Sequence, residues 1–199
     1  MRLVQKEKPL EVHAQEYNRI AIVGIGNILQ KDDGIGVTLI KYLEAAYTFP
    51  SYIHLIDGGT SGVPLQAQIM KKDVLIIIDA LTVSDIPGSV HVLTGHSVLS
   101  QSPNLKLSPH QISFFDLLQF MELQQIGPKE LIIIGIVPEN VGSGVDLSKP
   151  VEKSIEIAAN QIIDLMKQRG VHVDKRTDPI LPDYWWKPNE RFPSISHLR

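Results

Sequence analysis

The stretch IAIVGIGNILQKDDGIGV, Ile20 to Val37, joins a short β-branched run to the start of a helical period through four glycines and two adjacent aspartates. An apolar run with no polar break reads as a strand buried on both faces, which is the mark of a parallel sheet. Val37, Ile40, Leu43 and Tyr47 then recur at helical spacing, and PSY at 50–52 closes that helix. Strand, glycine loop and helix make the first half of a βαβ unit, and the rest of the chain repeats the alternation.

Three more runs fit the same pattern: YIHLID at 52–57, DVLIIIDA at 73–80 and ELIIIGIVP at 130–138. Between the first two of these, SGVPLQAQIMKKD predicts a shorter helix with Pro64 in its first turn. The Pro87-Gly88 turn before SVHVL predicts a strand added by a short reversal, antiparallel at the sheet edge. Ser108 and Gln111 read as a capping box opening the helix HQISFFDLLQFMEL, with Ile112, Phe115 and Leu118 toward the core. A last helix uses Val151, Ile155, Ala158, Ile162 and Leu165 and stops at Gly170. The expectation is an α/β fold, a mostly parallel sheet with one antiparallel edge strand and helices on both faces.

The length of 199 residues suits one domain. Residues 19–170 carry it, preceded by a polar, aperiodic extension over 1–18 and followed by a Pro- and Trp-containing tail over 171–199. Trp185 and Trp186 are expected to pack back on the domain or on a partner, because paired indoles are costly to leave in water. With 19 Lys+Arg against 22 Asp+Glu, the net charge of −3 gives no footprint for nucleic acid or for an anionic membrane. The chain has no cysteine, so disulfides, thiolate nucleophiles and Cys-based metal sites are excluded. No run approaches the ~20 apolar residues that cross a bilayer, and no signal-peptide stretch opens the sequence. A cytoplasmic protein is expected.

In an open parallel sheet, ligands bind beyond the carboxyl ends of the strands. Those ends carry Asp32-Asp33, Asp57, Asp79 and Pro138-Glu139-Asn140. A dinucleotide fingerprint needs a sixth-position glycine, and counted from Gly24 that position is Leu29; a Walker-type Gly-Lys-Ser/Thr ending is also missing. Two carboxylates at a helix start repel a phosphate and favour a cation. They also stabilise the macrodipole by roughly 0.3–1 kcal/mol, which alone accounts for one of them. Asp57 before Gly58-Gly59 reads equally as turn chemistry. Asp79 behind VLIII needs a partner or a cation. His110 in the first turn of its helix loses its proton easily, and is otherwise a surface or capping residue. Of the other histidines, His54 and His91 sit in strands, His96 in a loop, and His13, His172 and His197 in the terminal regions. Asp33, Asp79 and His110 together would make a three-ligand site with open positions, suited to a borderline divalent metal.

The pieces GIGNILQKDDGIGV, DGGTSG, IIIDAL, SPHQ and IIGIVPEN, in this order between Ile20 and Gly170, resemble the hydrogenase maturation proteases. These are the nickel-dependent C-terminal processing endopeptidases of nickel-iron hydrogenases. The resemblance implies a three-layer α/β sandwich with a twisted five-stranded sheet and a metal-binding triad, here Asp33, Asp79 and His110. It implies substrate recognition by the segment Asp57, Gly58, Gly59 and Thr60. The implied reaction removes a short C-terminal extension from the hydrogenase large-subunit precursor after its nickel-iron centre is in place, the nickel being supplied by the substrate. No nucleotide cofactor is expected. A non-catalytic, metal-dependent chaperone of the large subunit is the second reading, and a Rossmann-type nucleotide-binding enzyme the third.

Overall fold

The computed structural model describes residues 19–60, 65–95 and 109–187, with backbone only for 109–113 and 115. In chain order they form β1 (Ile20–Ile25), a 3₁₀ turn (Lys31–Gly34), α1 (Ile35–Ala46), β2 (Tyr47–Thr48), β3 (Ile53–Gly59) and α2 (Gln66–Ile69). These are followed by β4 (Val74–Ala80), β5 (Val90–Thr94), α3 (Pro109–Leu123), β6 (Glu130–Ile136), α4 (Lys149–Gln168) and β7 (Asp174–Lys175). The main sheet has the order β3-β1-β4-β6-β5. Its first four strands are parallel, and β5 lies antiparallel on the outer edge of β6. The five-stranded sheet and its antiparallel edge strand are as the sequence led us to expect.

The apolar runs are continuous because the sheet has a core on each side. Ile20 and Ile22 of β1, Ile76 and Ile78 of β4, and Ile132 and Ile134 of β6 pack with Leu39, Ile40 and Leu43 of α1 and Ile155, Ala158 and Ile162 of α4. Their neighbours Ala21, Val23, Leu75, Ile77, Leu131 and Ile133 face Phe114, Leu117, Leu118 and Met121 of α3. A strand sandwiched in this way leaves no face for polar residues.

Several local expectations are corrected. Helix α1 ends at Ala46, and Tyr47, in extended backbone (φ −132, ψ 157), starts β2 instead of completing the helix. It does so because β2 pairs with β7, a partner 128 residues on in Tyr47↔Lys175, which outweighs helical spacing. The described residues after β3 form a single helical turn with Ile69 inward, which ends as Met70 turns to extended backbone (ψ 143) ahead of Lys71 at φ 53. Pro64 lies outside the described residues. In α3, Leu118 is buried as expected, beside Phe114. Ser108 and the side chains of Gln111, Ile112 and Phe115 fall outside the described residues. Helix α4 buries all five expected positions, and Gly170 follows it at φ +72. Beyond it, Val171 and Val173 join the core on the α1/α4 side, and Tyr184 is buried where the indole of Trp185 is exposed. The 1–18 extension and residues 188–199 of the tail are outside the described residues.

At the amino edge, Asp73 ties three strands together. Its carboxylate accepts the Arg19 backbone N–H at 3.1 Å and the Arg19 guanidinium at 3.3 Å, and pairs with Lys129 Nζ at 2.9 Å. Its own N–H donates to Arg19 O at 2.8 Å, and its carbonyl accepts the Glu130 N–H at 3.0 Å. The Lys129 contact, helped by Arg19, holds the carboxyl below its ordinary 3.8 against the opposing effect of burial. A carboxyl depressed in the folded state stabilises above the unfolded pKa, and the contribution is lost as pH falls through the folded value. Asp73→Asn is therefore expected to destabilise the protein at neutral pH and progressively less as the pH is lowered below the ordinary 3.8. Urea unfolding across that range checks this, and an equal loss at every pH would contradict it.

Candidate functional site

The winding of the sheet reverses between β1 and β4. From β1 the chain crosses to β3 on one side, and from β4 it proceeds to β5 and β6 on the other. At such a switch point the connecting segments part and leave a crevice beyond the carboxyl ends. Asp79 is the penultimate residue of β4, one position past Ile78, which is level with Gly24 of β1. Asp33 arrives on the 3₁₀ turn ahead of α1. Both are buried.

That turn reaches Asp79 because the helix start is pressed onto the strand ends. A methyl group on Gly36 would lie 2.3 Å from the carbonyl oxygens of both Ile25 and Ile78, and one on Gly24 would lie 2.1 Å from Gly36 O. Gly26 adds a positive φ of 130, and its N–H donates to Gly59 O at 2.9 Å. The glycines of the opening stretch thus serve close approach of the helix start to the strand ends more than unusual dihedrals.

Within the loop, the Asn27 N–H donates to Asp33 Oδ2 at 2.8 Å, and Asn27 Oδ1 accepts the Leu29 N–H at 3.0 Å. Among the described residues Asp33 Oδ1 accepts no hydrogen bond. Asp79 Oδ1 accepts the Ala80 N–H at 2.7 Å. Asp57 lies inside β3, which runs on to Gly59, two residues past the end expected from the sequence. Its Oδ1 accepts the Gly59 N–H at 3.1 Å, Gly59 has φ +48, and Gly58 is buried beside Thr60 at the exposed turn. Helix α3 reaches the same edge by its direction. After its last turn, Ile126 O accepts the Lys71 N–H at the amino side of β4. Its 15 residues are about 22 Å long at 1.5 Å each, the height of the sheet, so its first turn stands at the carboxyl side. His110 is in that turn, and its imidazole is outside the described residues. Among the described residues no three His, Asp or Glu side chains gather as a metal site. His91, on β5 and level with Gly135 and Asp79 across the sheet, pairs with Asp85 at 2.9 Å, and His172 pairs with Asp174 at 2.8 Å in the tail.

Asp32 has a task that helix-dipole reasoning missed. It is fully buried, and its Oδ2 accepts the N–H groups of Glu139 (2.9 Å) and Asn140 (2.8 Å) and the Ser148 hydroxyl (2.8 Å). Its Oδ1 accepts the Ser148 N–H at 2.6 Å. Ser148 is the N-cap of α4, yet it gives its hydroxyl to Asp32 and caps nothing in its own helix. Three backbone bonds reinforce the joint: Asp32 N–H to Asn140 O, Lys31 N–H to Gly144 O, and Gly144 N–H to Leu29 O, at 3.1, 2.8 and 2.9 Å. The site loop and the loop after β6 are one body. Three of the four donors to Asp32 are main-chain amides, which any residue supplies, so the only sequence signal was the placement of Glu139 and Asn140 at a strand end.

Residues 37–165 match the family model described as hydrogenase maturation protease. The chain is 35% identical over 159 residues to hydrogenase 2 maturation protease of Escherichia coli (strain K12), covering 79% of this chain and 96% of that protein. It is 34% identical over 153 residues to hydrogenase expression/formation protein HoxM of Azotobacter vinelandii, with 76% and 74% covered. The solved hydrogenase maturating endopeptidase HybD from E. coli superposes with a TM-score of 0.76 at 35% identity, over 80% of this chain and 99% of that one. The [NiFe] hydrogenase maturation protease HybD from Thermococcus kodakarensis shares the fold, with a TM-score of 0.63 at 24% identity over 74% and 98% of the two chains. No helix among the described residues is long and apolar enough to cross a membrane.

Two substitutions test how the site is held. Asp32→Asn turns an amide toward four donors and is expected to cost about 3 kcal/mol of unfolding free energy. Gly36→Ala, overpacked against two carbonyls, is expected to cost about 1–3 kcal/mol or more. Chemical denaturation measures both, and wild-type stability in either would contradict the packing described.

Proposed function

The chain belongs to the hydrogenase maturation protease family and is an endopeptidase of hydrogenase maturation, and from that premise we propose its substrate and its site. In the cytoplasm it removes the C-terminal extension of a nickel-iron hydrogenase large-subunit precursor once the metal centre is inserted. The nickel belongs to the substrate, and Asp33, Asp79 and His110 receive it. The observation carrying this reading is that two buried carboxylates from separate elements, Asp33 and Asp79, come to one switch-point crevice where Gly36 is packed against carbonyl oxygens.

An acidic crevice attracts a cation that a partner brings, and a metal held there fixes the peptide attached to it. Holding a peptide bond in one place lowers the entropic part of the barrier to its hydrolysis. Water adds to the scissile carbonyl carbon, the C–N bond breaks, and the departing amine takes the proton. A cysteine acyl-enzyme has no place in this reaction, since the chain has no cysteine. Asp57, Gly58, Gly59 and Thr60 take the substrate-binding role. They close the outer strand β3 next to Gly26, so a peptide leaving the crevice runs past them.

Asp79→Asn and His110→Ala are expected to keep the fold by circular dichroism and to abolish trimming, read as the C-terminal mass of the precursor after incubation. Wild-type protein is expected to trim nickel-loaded precursor and to leave nickel-free precursor whole. Full trimming by either variant contradicts the site, and equal trimming of both precursors contradicts the role of nickel. Binding with no change of mass would mark a docking chaperone instead.

A further inference from the structure

The family match ends at residue 165, but the chain beyond it returns to the site. After α4, β7 pairs with β2, which follows the far end of α1 and precedes Ile53, level with Ile20 at the amino edge. The tail then runs back along the α1/α4 layer. Tyr184 is buried, and burial together with neighbouring Tyr42 of α1 and Glu152 in the first turn of α4 raises its phenol above the ordinary 10.0. Lys187 Nζ donates to Asp146 Oδ1, two residues before Ser148, whose N–H and hydroxyl are bound by Asp32. The tail therefore reaches the carboxyl edge and is tied to the loop that frames the crevice.

At that end the side chains are apolar and outward. Trp186 stacks edge-on with Tyr184 (5.3 Å) and with Trp185 (5.6 Å), and Trp185 itself is 63% exposed. On the two loops locked together by Asp32, Leu29 is 62% and Val141 52% exposed. Three large apolar side chains in water, on segments that hydrogen bonds join to one another at the carboxyl edge, have the composition and the preorganisation of an interface. Trp is also the residue type most often dominant in binding energy.

We infer that Trp185, with Leu29 and Val141, docks the folded body of the hydrogenase large subunit while its C-terminal segment occupies the crevice. This rests on the proposed function: a polypeptide whose end enters the crevice must bring its body over this edge, and the three side chains stand there. The surface supplies affinity and register and takes no part in bond cleavage.

The test is steady-state trimming of nickel-loaded precursor by full-length protein. Trp185→Ala is expected to raise KM about tenfold or more with kcat kept, Trp185→Phe to recover part of the loss, and Lys187→Ala, which unties the tail, to raise KM as well. Leu123→Ala, a more exposed apolar change at the carboxyl end of α3, is expected to leave KM unchanged. Unchanged KM for Trp185→Ala, or a fall in kcat alone, overturns the docking surface and leaves the proposed function standing. Wild-type protein that fails to trim the precursor overturns both.

Discussion

The side chain of Asp32 is the constraint on which the candidate site depends. Buried, it requires donors to replace its lost water, and it finds them on the loop after β6 and at the head of α4. In satisfying one side chain the fold fixes three segments in mutual register. Asp33, the next residue, inherits that position. The adjacent aspartates thus divide two tasks that their sequence does not distinguish: one holds the loop from inside, and the other accepts the Asn27 N–H and, in the proposed function, receives the substrate's metal.

Close packing at the strand ends completes the placement. Gly24 and Gly36 let the first turn of α1 sit directly on β1 and β4. A dinucleotide-binding sheet of the same winding turns backbone N–H groups toward its ligand. Here the corresponding turn carries two carboxylates, Asp32 and Asp33, which repel a phosphate, and the proposed function assigns that edge to a cation carried by the substrate.

Much of this was legible in the sequence because both faces of the sheet are covered. Runs such as Val74–Ile78 could be nothing but interior strands, and an aspartate directly behind one, Asp79, had to be explained by chemistry. The edge direction of β5 followed from the Pro87-Gly88 turn. What was not legible depended on distant partners. Tyr47 leaves its helix to pair with the tail, α2 shrinks to a turn at Lys71, and Asp32 binds groups 107 to 116 residues away. Local spacing carries no trace of such contacts. In the tail, the sequence pointed to the indoles as anchors, but Tyr184 is the buried ring and Trp185 faces outward, because an aromatic pair can bury one member against the domain while the other remains a contact surface.

The central claim is that the crevice of Asp33 and Asp79 receives nickel carried by the substrate. X-ray absorption at the nickel edge of the loaded large-subunit precursor, with and without this protein, tests it most directly. New oxygen and nitrogen neighbours around nickel are expected when the complex forms, and they should disappear with Asp33→Ala. A nickel shell that stays unchanged in a complex shown to have formed would contradict the account.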